Sequence, residues 1–342
     1  MGMHTLPSKA DTWIIKMPVE IEITENTDYL LDYTFNFHWH NRLLDPDSVT
    51  PFQKDTELTY RDLVLALKSG DDVRIKGNVG KNFAYSMGAD LQHMGGSGGM
   101  ESAGRVFVEG DVGPEAGMGM VAGALYVAGS ISEPFGNIIE VRSDVSGYRK
   151  FRSITDIVCS GPGDDVLLLN MFDPENNTLL LNDSILRATV GARCNRPATI
   201  RIEGRAHNGT GVLMREGTII VNGDAGMNTG SHLDGGTVAV LGNVGEFAGA
   251  YMKSGVLAFK NARGYIGAGM SGGTIYSRSR VKTNSPVAKV RMGKEDVALM
   301  RRIMDAGRID AGLYNKYELE PEKEKYIEVR MRDGSIVLRK AD

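Results

Sequence analysis

The stretch "GTIIVNGDAGMNTGSHLDGGTVAVLGNVGEFAGAYMKSGVLAF", residues 217–259, repeats itself every 19 residues. Gly204, Gly223 and Gly242 each open a short glycine unit and stand 19 apart; a further 19 reaches Asn261, which replaces glycine before Gly264. Upstream, Gly110 and Gly129 keep the same spacing, and Gly77 lies 33 before Gly110, one period plus a 14-residue insertion. Three residues after these markers a second glycine recurs at Gly80, Gly113, Gly226, Gly245 and Gly264. Seven residues after them a third recurs at Gly117, Gly136, Gly211, Gly230 and Gly249.

The other positions keep the same phase. Four and two residues before each marker stand apolar pairs: Val73/Ile75, Val106/Val108, Leu125/Val127, Ile200/Ile202, Ile219/Val221, Val238/Val240 and Leu257/Phe259. Residues of mixed character separate the two members, the alternation of a half-buried strand. Ten residues after the marker comes another long apolar side chain, at Met87, Met120, Ile139, Met214, Leu233 and Met252. A short strand, glycine turns and a further apolar position at constant length make one coil of a solenoid. Like positions then stack about 4.8 Å apart. Glycine serves where the chain needs positive φ or where adjacent coils leave no room for a Cβ. Asn78, Asp111, Asp224 and Asn243 follow the markers and are expected to form a hydrogen-bonded corner ladder. The expected fold is all-β, a right-handed parallel β-helix of 19-residue coils.

The expected organisation is an N-terminal extension over 1–56, the β-helix over 57–280 with irregular coils at 138–195, and a C-terminal helix and hairpin over 281–342. "TYRDLVLALKSG", 59–70, carries a capping box at Thr59 and Asp62 and stops at Gly70, so it reads as a helix closing the N-terminal end of the stack. "MGKEDVALMRRIMDAG", 292–307, is a second helix, read as the opposite cap. "YIEVRMRDGSIVLRK", 326–340, is a hairpin around Asp333-Gly334. The basic, aromatic "SDVSGYRKF", 143–151, reads as a solvated turn, with a partner-contact loop as the alternative.

The 342 residues include 43 glycines, about twice the usual share of roughly 7%. A net charge of −4 excludes the strongly basic balance of nucleic-acid binders. No apolar run is long enough to span a membrane, and the first residues lack a signal-peptide core, so a cytoplasmic protein is expected. The two cysteines, Cys159 and Cys194, are too few for an iron–sulfur cluster and read as a reduced, buried pair.

Few residues carry chemistry. "HMGGSGGM", 93–100, contains G-x-S-x-G around Ser97. A nucleophile elbow needs a strand before it and a helix after it, with a placed His and acid. Here the motif lies in the 14-residue insertion and leads into another strand, so a loop that docks on a partner or closes over a partner's site is expected. His38 and His40 in "FNFHWHNR" share a strand face but have no third ligand nearby, so no metal site is expected. No G-K-[ST] follows the glycines, and they join strands, so neither a P-loop nor a dinucleotide fingerprint is present. His207 and His232 fall at coil corners and read as surface residues. No carboxylate pair stands out, so no catalytic, cofactor-binding or metal-binding residue is expected in this chain.

At "GDAGMNTGSHLDGGTVAVLGNVGEFAGAYMKSG" (223–255) and "GYIGAGMSGGTIY" (264–276) the sequence resembles the GXGXG β-helix superfamily. Two branches are similar: the C-terminal β-helix domain of the glutamate synthase large subunit, and the β-helix subunit of formylmethanofuran dehydrogenase and of the related formyltransferase/hydrolase complex. The flanking helical segments resemble the glutamate synthase domain more. The resemblance implies a non-catalytic scaffold within an oxidoreductase complex. Its partners would be amidotransferase and flavin synthase parts, with flavin and iron–sulfur, or amidohydrolase and molybdopterin subunits, with a metal–pterin. An esterase using Ser97 and a free-standing structural or binding β-helix are the competing expectations.

Overall fold

The computed structural model describes residues 18–35, 44–320, 326–330 and 336–340. The chain is a β-solenoid whose strand face is divided into two sheets. The first contains β1 (Val19–Ile23), β2 (Gln53–Lys54), β3 (Val73–Lys76), β4 (Arg105–Val108), β5 (Ala124–Val127), β6 (Ile138–Val141) and β7 (Arg149–Ser153). The second begins with β8 (Met171–Asp173), β9 (Thr178–Leu181), β10 (Thr199–Ile202), β11 (Thr218–Val221) and β12 (Asp234–Val240). After β13 (Asn243–Val244) come β14 (Ser254–Phe259), β15 (Asn261–Ala262), β16 (Tyr265–Ile266), β17 (Thr274–Ser277) and β18 (Lys282–Thr283). The chain ends with β19 (Val287–Val290), β20 (Asn315–Leu319), β21 (Tyr326–Arg330) and β22 (Ile336–Lys340). Strands β1, β3, β4 and β5 pair in parallel, as do β9, β10, β11, β12, β14 and β17.

The sequence period is the pairing register. Thr199 lies beside Thr218, Thr218 beside Thr237 and Arg105 beside Ala124, each 19 residues on. The apolar pairs point inward and are buried, as are Met87, Met120, Met214, Leu233 and Met252. The marker glycines answer to close approach. A Cβ on Gly110, Gly129, Gly223 or Gly242 would lie 2.4–2.6 Å from the carbonyl oxygen of the marker glycine one coil back. Gly211 answers to conformation: its φ is +72°, and a Cβ would meet Val238 Cγ2 at 2.5 Å. At the corner, Asn78 Oδ1 accepts the Asp111 N–H at 2.8 Å, and Asp224 Oδ1 accepts the Asn243 N–H at 2.7 Å.

The stack begins earlier than the glycines announce. β1 pairs in parallel with β3, so the first coil lies within the stretch 1–56 read as an extension. Within 138–195, read as irregular coils, the part up to β8 departs from the coil pattern, whereas β9 and the turn after it form a coil parallel to β10. β7 runs antiparallel to both β5 and β6, β8 antiparallel to β9, and α2 (Ile154–Ser160) follows β7. This insertion ends the first sheet and opens the second, but it leaves the turn face intact. There the backbone ladder Tyr29–Lys81, Asn82–Pro114, Glu115–Pro134, Phe135–Leu186, Thr189–Asn208, Gly209–Met227 and Asn228–Glu246 runs unbroken through both halves.

Asn137 pins the junction. It is fully buried; its Nδ2 donates to Met120 O at 2.8 Å and to Thr155 Oγ1 at 2.7 Å, and its Oδ1 accepts the Gly191 N–H at 2.9 Å. Removing the amide strands a buried donor, which costs about 2 kcal/mol. Asn137→Ala is expected to lower the unfolding free energy by that amount in equilibrium denaturation. Asn137→Asp is expected to do no better, because it cannot donate to Met120 O.

Part of the outward face of each sheet is covered. Phe107 and Tyr126 stack at 4.6 Å, and Tyr148 from the "SDVSGYRKF" turn packs edge-on to Phe107. On the second sheet, Ile220, Ala239, Ala258 and Tyr276 form an outward column. Met300 and Ile303 of α3 (Lys294–Ile303), and Ala311 of α4 (Arg308–Ala311), cover it. The helix read as a C-terminal cap therefore lies along the sheet. The end of the stack is closed by β20, which runs antiparallel to β17 and carries β19 beyond it. α1 (Tyr60–Lys68) has the expected capping box, Thr59 Oγ1 accepting from the Asp62 N–H and Asp62 from the Thr59 N–H. Its Leu63 and Leu67 join the core around Ile21 and Val73. β21 and β22 pair as an antiparallel hairpin; the Asp333-Gly334 turn lies outside the described residues.

Candidate interaction surfaces

Ser97 serves as a staple of its own loop. Its Oγ donates to Asp90 Oδ2 at 2.7 Å, its N–H donates to the same oxygen at 2.7 Å, and Gly99 N–H donates to Ser97 Oγ at 3.1 Å. These bonds hold the Asp90 carboxyl below its usual range. Ser97→Ala is therefore expected to speed limited proteolysis within 91–99 while leaving the global unfolding midpoint within about 0.5 kcal/mol of the parent.

Other candidate residues are dispersed. Cys159 is half-buried, Cys194 is buried, and both are free thiols. Cys159 Sγ donates to Asn195 Oδ1 at 3.7 Å and Cys194 Sγ to Arg196 O at 3.6 Å, and the mutual influence of the two thiols lowers the Cys159 thiol and raises that of Cys194. His207 and His232 are half-buried rather than surface residues, because each sits in a stacked rung. The His232 ring stacks on Tyr251 at 5.0 Å, and its Nδ1 lies 3.0 Å from Ser231 Oγ. His38 and His40 lie outside the described residues. Among the described residues, no three His, Cys, Asp or Glu side chains gather in a metal-binding arrangement, and no helix is long and apolar enough to cross a membrane.

A group of exposed apolar side chains lies in the insertion. The run "VLLLNM", 166–171, is one of the short apolar runs within 138–195. Only Leu167 packs against the core, and only partly. Val166, Leu168, Leu169 and Met171 are exposed, Leu169 at 69% and Met171 at 63%. They lead into β8, which is the edge strand of the nine-stranded sheet. A polar rim adjoins them: Asp165 binds Lys150 at 2.8 Å and also pairs with Arg152, which pairs in turn with Asp156. An apolar centre beside a charged rim on an unpaired strand edge is the anatomy of a protein-binding surface. Nothing in the sequence separates this run from the buried coil strands, since 238–241 (VAVL) and 256–259 (VLAF) are equally continuous apolar runs.

A second feature lies on the turn face. A cleft of about 320 Å³ is lined by Tyr29, Tyr85, Met118, Val212 and Met227 with Lys81 and Glu115. Further along that face, Phe247, Tyr251 and Tyr265 are exposed.

No family model matches the chain. An uncharacterized protein of Methanothermobacter thermautotrophicus is 42% identical over 201 residues, which is 58% of this chain. The match spans 64% of that relative's length. Among solved structures, the chain is similar to one from the formyltransferase/hydrolase complex of Methylorubrum extorquens in complex with methylofuran. That likeness has 16% identity and a TM-score of 0.29, and covers 86% of this chain and 90% of the other.

Proposed function

We propose that this chain is a non-catalytic scaffold subunit of a multi-subunit oxidoreductase or formyl-transfer complex. The observation that carries the reading is the exposed Val166, Leu168, Leu169 and Met171 beside the unpaired edge of β8. Such a surface, left in water, invites association; covered by a partner, it contributes the buried core of an interface. The filled interior of the solenoid supports the same reading, since stacked side chains give rigidity and place function on the outer faces. Flavin, iron–sulfur or metal–pterin groups would then belong to the partner subunits.

The sequence resemblance implies two assemblies, and their partners differ. Native affinity isolation from the source cells, with mass spectrometry, tests the reading. Recovery of amidotransferase and flavin-dependent synthase parts places the chain with the glutamate synthase-like assembly. Recovery of amidohydrolase and molybdopterin subunits places it with the formylmethanofuran dehydrogenase or formyltransferase/hydrolase type. Recovery of this chain alone contradicts the scaffold role.

A further inference from the structure

Beside the 14-residue insertion lies a recess of about 130 Å³, lined by Arg193, Arg215, His232 and Lys253 together with Gln92 and Gly98 of the loop. We propose that this recess binds a small oxyanion, a phosphate or carboxylate group carried by a small molecule.

The solenoid itself assembles the charge. Arg193 donates its backbone N–H to Val212 O, Leu213 to Ser231 O and His232 to Ala250 O, so these residues occupy one position in successive rungs. Arg215, Asp234 and Lys253 occupy the position two residues further on, donating to Cys194, Met214 and Leu233. Stacking at about 4.8 Å per rung thus brings three permanent cations and an imidazole to one opening. Asp234 is the single carboxylate in the lining. Among the described residues, Arg193, Arg215 and Lys253 have no carboxylate within ion-pair distance, whereas many other cations of the chain do.

The environment bears the strain of this arrangement. Arg193 is half-buried; burial depresses its guanidinium, Tyr85 partly opposes that, and the Arg215 charge adds to it. Burial followed by the Lys253 and Arg193 charges likewise depresses His232. A partly desolvated guanidinium without a counter-charge is costly unless an anion completes it. Guanidinium groups also supply the forked donors that suit carboxylate and phosphate oxygens. The loop closes one side: a Cβ on Gly98 would lie 3.0 Å from Arg215 Nη2. The volume is that of about four waters, enough for one oxyanion group and too small to enclose a nucleotide.

This inference does not depend on the scaffold reading. The test is isothermal titration of the full chain with inorganic phosphate and, separately, with acetate, against sodium chloride at matched ionic strength. One saturable site is expected for phosphate, acetate or both, and which of them binds identifies the group recognised. Arg215→Gln and Lys253→Gln, both at exposed positions, are each expected to weaken binding on the order of tenfold. Arg193→Gln is expected to melt no lower than the parent in chloride, because it relieves like-charge repulsion, and to lose the rise in melting temperature that the anion gives. Heats equal to those of chloride for both anions, or unchanged affinity in Arg215→Gln and Lys253→Gln, would overturn the proposal.

Discussion

Replacing Gly223 with alanine is expected to cost about 3 kcal/mol of unfolding free energy. The new Cβ would stand 2.6 Å from Gly204 O and 2.8 Å from Gly204 C. Both contacts are with backbone held in the ladder of the preceding coil, so no side-chain rotation relieves them. The coils must separate locally, and the corner bond from Asn243 N–H to Asp224 Oδ1 lies in the same stretch. Gly312→Ala is the control. Its φ is −72°, and its nearest contact, Ile309 O at 3.4 Å, is ordinary. It is expected to stay within about 0.5 kcal/mol of the parent. Urea denaturation of the three proteins measures the contrast.

The same contact explains why the coils could be read from the sequence and the first one could not. Each marker glycine makes room for the carbonyl of the coil before it; at Gly77 a Cβ would meet Ile23 O at 2.2 Å. Among the described residues no coil precedes the first, so Ile23 stands at the marker position without a carbonyl to clear, and Leu31 takes the left-handed turn that Gly211 and Gly230 take later. Without glycine there is no period to see. The insertion escaped for a different reason. Its apolar runs at 138–141, 166–169 and 179–181 look alike in sequence. Whether such a run is buried depends on what folds over it. Ile138 and Ile139 are buried, and Leu179 and Leu181 enter the core, but nothing in the described chain covers Leu168 and Leu169. The helix over 294–303 was visible from its amphipathic spacing. Its docking on the outward Ile220–Ala239–Ala258–Tyr276 column was not, because period-two alternation names an outward face without saying whether it is wet.

Arg187→Met is expected to destabilise the protein by about 3–5 kcal/mol. Arg187 and Asp183 are 3% and 4% exposed and form a buried pair. Arg187 Nη1 donates to Asp183 Oδ1 at 2.7 Å, and its Nε donates to Ile138 O at 2.8 Å, tying the returning end of the insertion to β6. Asn170 Nδ2 supports Asp183 at 2.8 Å. Without the guanidinium, a carboxylate is left buried and uncompensated. The double variant Arg187→Met with Asp183→Leu is expected to recover much of the loss, since burying the pair is itself expensive. Burial acts to raise the Asp183 carboxyl, but the Arg187 hydrogen bond and charge outweigh it and leave it below its ordinary value. The contribution of this group is therefore complete above about pH 4 and is lost as the pH falls through its lower folded value. Denaturation midpoints of the parent and the double variant are expected to converge in acid.

These structural bonds all lie on one side of the functional question. They hold a rigid stack whose interior is closed and whose insertion presents an apolar run at a sheet edge. The central claim is that a different polypeptide covers that run. It is tested by measuring the native mass of this 37.1 kDa chain in gently lysed source cells, beside the double variant Leu169→Glu with Met171→Lys. The expected result is a parent protein in a particle containing other subunits, and a variant of unchanged circular dichroism and melting temperature that has left it. A parent chain migrating alone, or a variant that keeps the same companions, would contradict the account.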